Sequence, residues 1–115
     1  MNAVERIEAA IERLEARRDA STRGRWEFSL DPFSESVAYV IGSSEAYELA
    51  SDLIEEDADL IVTLHRTIDA QLAILREAHR FATHRYAALF TFPYIPSDWN
   101  AVALADAILG APDDR

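Results

Sequence analysis

The spacing of apolar residues changes twice along this 115-residue chain, and those two changes limit the folds open to it. From Val4 to Leu14 the spacing is helical: Val4, Ile7, Ile11 and Leu14 recur at three, four and three residues, with Ala10 beside them on one stripe. After Ser21-Thr22-Arg23-Gly24 the period falls to two, as Trp26, Phe28 and Leu30 alternate with Glu27 and Ser29. Beyond Gly42-Ser43-Ser44 it returns to the helical value. A chain that switches period in this way predicts an α+β fold, mostly α, with about four helices and one small β-hairpin.

The elements follow from local signals. Helix 3–19 carries the first stripe, which is as narrow as a coiled-coil seam and suits either an edge helix on its own core or a helix that zips to a copy of itself. A hairpin over 25–42 turns at Asp31-Pro32-Phe33-Ser34-Glu35-Ser36 and returns through Val37-Ala38-Tyr39-Val40-Ile41. Two strands alone are marginal, so one face must lie on helices. Ser44 reads as an N-cap, followed by helices over 44–56 and 58–84. Leu49, Ala50, Leu53, Ile54, Leu60, Ile61, Leu64, Ile68, Leu72 and Leu75 then share one apolar arc, with Asp57 in its middle. A carboxylate there predicts a break, with Asp57 capping the second helix. An extended aromatic arm spans 86–96, where Pro93 and Pro96 exclude a helix, and a last helix over 98–109 ends at Gly110 and Pro112. The whole chain is read as a single domain.

Composition removes several chemistries. The chain has no cysteine, so thiolate catalysis, disulfides and thiolate zinc sites are excluded. All of its cations are arginines, which excludes a Schiff-base lysine and a P-loop. A formal charge of −10 opposes generic binding to phosphate backbones. That charge is local: Glu27 to Leu75 contains eleven carboxylates and Arg66 as its one arginine. The amino-terminal helix is too charged for a signal peptide, and the longest uncharged run is too short to span a bilayer. A cytoplasmic location, with no membrane partner and no direct nucleic-acid partner, is expected.

Three constellations could carry function. On a continuous helix, Glu45, Glu48, Asp52, Glu55, Glu56 and Asp59 would form an acidic stripe opposite the apolar arc, either a solvated face or a docking surface for a basic partner. Glu45-x-x-Glu48 and Glu56-x-x-Asp59 are superficially similar to the paired acidic motifs of magnesium-dependent helical pyrophosphohydrolases, with too short a gap between them. His65 and Asp69 are one turn apart, while Arg76, His79, Arg80, His84 and Arg85 form a short basic segment that suits a helix carboxyl end or the acidic stripe of a second copy. The aromatic group of Phe90, Phe92, Tyr94 and Trp99 completes the set of expected partner-binding residues, together with Glu45, Glu48, Asp52, Glu55 and Asp59. No catalytic residue, cofactor or metal ligand is assigned, and no Gly-x-Ser-x-Gly elbow is present.

Two stretches carry a resemblance. Ser21-Thr22-Arg23-Gly24-Arg25-Trp26-Glu27 resembles the Ala-Thr-Pro-Gly-Pro-Trp-Glu signature that follows an amino-terminal helix in many small phage early-region and actinobacterial proteins, with Arg23 and Arg25 standing where that signature has prolines. Residues Asp57-Ala58-Asp59-Leu60-Ile61 onward to Leu75 are similar to a helix that recurs in small accessory proteins of actinobacteria and their phages. The resemblance implies phage or prophage origin and an accessory role, without an activity to carry onto residues. The expectation is therefore a non-enzymatic protein that binds a host or phage protein, or itself as a homo-oligomer. The alternatives are an acidic inhibitor mimicking nucleic acid on a host protein and, last, a metal-dependent hydrolase.

Overall fold

The computed structural model describes residues 1–86, 96 and 99–110, and only the backbone of Arg85 and Tyr86. The fold is α+β and mostly α: α1 (Ala3–Ala20), β1 (Glu27–Leu30), β2 (Tyr39–Gly42), β3 (Ala50–Leu53), α2 (Glu55–Arg66), α3 (Ile68–Phe81), a π-helical turn (Ala82–Tyr86) and α4 (Asn100–Leu109). Backbone contacts divide the chain into two compact units, one of Asp19–Ile68 and one of Met1–Arg18 with Asp69–Arg115. Each has its own apolar core.

In the unit made from the two ends of the chain, the stripe read on α1 faces that unit's core. Val4, Ile7 and Ala10 are buried, and they pack with Leu75, Ala78, Ala82, Ala101, Val102 and Ala105. A capping box starts α1: the Glu5 N–H donates to Asn2 Oδ1 at 2.8 Å and the Asn2 N–H to Glu5 Oε1 at 3.3 Å. Polar side-chain pairs tie the helices at the rim, Arg76 to Glu15 at 2.6 Å, His79 Nε2 to Glu8 at 2.8 Å and Arg6 to Asp106 at 3.2 Å. Arg76 and His79, read as free for a helix end or a second copy, thus face carboxylates of α1. Gly110, at φ 69°, ends α4 in the left-handed conformation expected of a helix-terminating glycine.

In the Asp19–Ile68 unit the expected hairpin forms, with register Glu27↔Gly42 to Leu30↔Tyr39. Asp31 makes its turn, as its Oδ1 accepts from the Phe33 N–H at 3.0 Å. The helix expected over 44–56 does not form. Ser43 Oγ accepts from the N–H groups of Glu45 and Ala46, the Leu49 N–H donates to the Ile41 carbonyl at 2.7 Å, and the chain enters a third antiparallel strand, β3. Backbone donors that a helix would use are committed to a turn and a sheet. Asp52 takes φ 59°, a left-handed conformation outside any α-helix.

The helix expected over 58–84 is also corrected. α2 starts three residues early, after Ile54, which caps it without a side-chain bond. Glu55, Glu56 and Asp57 occupy the first turn, where the helix dipole favours carboxylates, so Asp57 lies inside the helix and not at its cap. α2 then stops at Arg66, with Thr67 as its C-cap, whose Oγ1 donates to the Leu64 carbonyl at 2.8 Å. The last helix starts at Asn100, two residues later than expected, with Trp99 at its N-cap.

Candidate functional site

Because 44–54 is loop and strand, the five expected partner-binding carboxylates do not share one helix. Glu45 and Glu48 are exposed on the loop between β2 and β3, Asp52 is exposed on β3, and Glu55 and Asp59 are exposed on α2. No single helical stripe joins them. Asp59 accepts from Thr63 Oγ1 at 3.2 Å, one turn along. Glu55 hydrogen-bonds the Tyr39 hydroxyl, and with Glu56 it raises the Tyr39 pKa, after the larger effect of removing the phenol from water. Phe90, Phe92 and Tyr94, with the arm they define, lie outside the described residues. Trp99 is half-buried and tilted 42° against Phe81, ring centroids 5.4 Å apart, beside an open apolar cleft of about 340 Å³ that includes Ile74 and Ala78.

His65 stacks on Trp26, whereas Asp69 pairs with Arg18 at 3.2 Å. Among the described residues no three histidine or carboxylate side chains converge as metal ligands. A wider open pocket of about 470 Å³ lies on the sheet among Arg25, Glu27, Val40, Ser43 and Ser44. Its cation, Arg25, is 3.7 Å from Glu27.

α2 carries the least expected arrangement. Its inward side is Ala58 and Val62, both fully buried against Ile41, with Trp26, Phe28 and Tyr39 around them. Leu60, Ile61 and Leu64, read as part of a continuous core arc, lie on the other side and are 57%, 37% and 54% exposed. Ile54, just before the helix, is 60% exposed. The sequence held one signal of this: Asp57 sits in the middle of that arc, and a row holding a carboxylate is a poor core stripe. The Asp19–Ile68 unit, to which α2 belongs, has eleven carboxylates against three arginines, a formal −8 of the chain's −10.

No family model matches the chain, and neither the curated proteins nor the solved structures contain a match to it. Among the described residues, no helix is long and apolar enough to cross a membrane.

Proposed function

We propose that the protein is a non-enzymatic accessory protein that acts by binding another protein, and that the outer face of α2 is where it does so. The observation that carries this reading is the exposure of Leu60, Ile61 and Leu64 on one side of a helix whose other side already fills a core. Ile54, just before the helix, adds a fourth exposed aliphatic side chain to these three. The likeness of 21–27 and 57–75 to small phage and actinobacterial accessory proteins supports a phage or prophage origin and, with it, a cytoplasmic site of action. A second reading, an acidic inhibitor occupying a nucleic-acid site on a host protein, draws support from the −8 carried by residues 19–68.

Affinity capture from host lysate separates the two. The wild type is compared with Leu60→Ser/Leu64→Ser and with Glu45→Gln/Glu48→Gln, each checked for folding by circular dichroism. Loss of partners in the leucine variant alone supports docking on α2; loss in the carboxylate variant alone supports nucleic-acid mimicry. Partners that survive both substitutions overturn both readings.

A further inference from the structure

We infer that the outer face of α2 is one half of a heteromeric helix pair, and that the other half is a cationic amphipathic helix with an arginine or lysine set against Asp57. The inference rests on the reading of α2 as a docking surface and names the chemistry of what docks. Within α2, Asp57, Ile61 and Leu64 follow one another at four and three residues, which is the spacing of a heptad seam; Leu60 flanks them, and Ile54, three residues before Asp57, is the extended N-cap residue. Of the four aliphatic side chains, Ile54, Leu60 and Leu64 are more than half exposed and Ile61 is 37% exposed. The fifth, Asp57, is exposed in the helix's first turn. A polar residue at one seam position sets register and partner in helix pairs, at a cost in stability when it is left unmatched.

That carboxylate decides between occupants. In a parallel pair with a second copy, Asp57 would meet the other Asp57. In an antiparallel pair that sets Ile54 against Leu64, Asp57 would meet Ile61, and Arg66, the one arginine of α2, would fall level with residue 52. Either arrangement covers a carboxylate with no cation beside it, which is strongly unfavourable. Two units of −8 also repel each other. A foreign helix with leucine or isoleucine along its seam and a cation at the position facing Asp57 covers the aliphatic row and neutralises the acid at once, while its flanking basic residues meet Glu56 and the rest of the acidic unit.

The test uses two fluorescein-labelled synthetic helical peptides with the same leucine seam and the same flanking lysines, differing at one central seam position, arginine or leucine. Fluorescence anisotropy against the full chain at physiological salt is expected to show the arginine peptide binding about tenfold tighter, the effect of one well-placed charge pair. Asp57→Asn should abolish the difference. Asp57→Leu should reverse it and also make the protein dimerise in sedimentation velocity, because its seam is then wholly apolar. Leu64→Glu should remove binding of both peptides. Equal binding of the two peptides by the wild type overturns the inference, as does a preference for arginine that persists in Asp57→Asn, which would be diffuse attraction to the acidic unit. A wild-type dimer that Leu64→Glu dissociates overturns it in favour of a second copy. Failure of both peptides to bind, with partners still lost on capture by Leu60→Ser/Leu64→Ser, overturns this partner chemistry and leaves the docking surface standing; if capture is also unchanged, both fall.

Discussion

Trp26 and His65 stack face to face, with ring centroids 3.8 Å apart and planes within 3°. The indole is fixed from its other end, where Nε1 donates to the Thr22 carbonyl at 3.0 Å. The last turn of α2 is thereby joined to the chain entering β1. His65→Ala should lower the unfolding free energy by about 1 kcal/mol, the usual worth of an aromatic pair beyond its area, and His65→Phe should recover most of it. Urea denaturation followed by tryptophan emission in a Trp99→Phe background reports Trp26 alone. An unchanged midpoint in His65→Ala would show that the stack contributes nothing.

Tyr39 links the sheet to the start of α2 through Glu55. Its pKa is raised by desolvation first and then by Glu55 and Glu56, so the folded state favours the neutral phenol. A raised folded-state pKa contributes stability that is present below the ordinary tyrosine value of about 10 and is lost as pH climbs through the folded value. Ultraviolet titration of the phenolates should show Tyr39 ionising late, and Glu55→Gln should bring it earlier. A Tyr39 that ionises at the ordinary tyrosine value of about 10 in the wild type would refute this.

Neighbouring aliphatic residues on α3 should respond unequally to truncation. Leu75 is fully buried in the core of the unit formed by the chain ends, whereas Ile74 is 52% exposed. Leu75→Ala should cost about 3 kcal/mol and Ile74→Ala well under about 1 kcal/mol. Chemical denaturation of the two variants checks the contrast, and similar losses would mean that Ile74 is covered in solution.

Gly110 tests backbone conformation apart from packing. A Cβ built there meets nothing within 4 Å, yet φ is 69°. Gly110→Ala should therefore lower stability by about 1 kcal/mol and Gly110→Asn by less, since asparagine tolerates the left-handed region. Thermal melts of both variants decide it. Equal losses would point to a contact, which the geometry does not contain.

What the sequence made legible was set by which signals act locally. The Val4, Ile7, Ile11 and Leu14 stripe with Ala10 beside it, the β1–β2 hairpin and the Gly110 stop each rest on spacing or turn chemistry within a few residues; the hairpin and the stop are found close to where they were read, and of the stripe all but Leu14 join the core. β3 was not legible because Leu49-Ala50 and Leu53-Ile54 fit a helical stripe as well as a short strand. What decides between them is non-local: the Leu49 N–H is taken by Ile41. The same ambiguity hid the face of α2. Leu60, Ile61 and Leu64 look like core until Ala58 and Val62 are seen filling the space over Ile41, after which only the anomalous Asp57 had marked the row as a surface.

Gly42 fixes how this protein can vary. A Cβ at that position would run into the Tyr47 carbonyl, so the loop bearing Glu45 and Glu48 is seated by backbone passing over bare backbone, while the side chains at 45, 47 and 48 are exposed. In a saturation library selected for folding, position 42 should accept almost no replacement, and those three positions should accept nearly any. The loop could then change its charge and its chemical identity without disturbing the sheet.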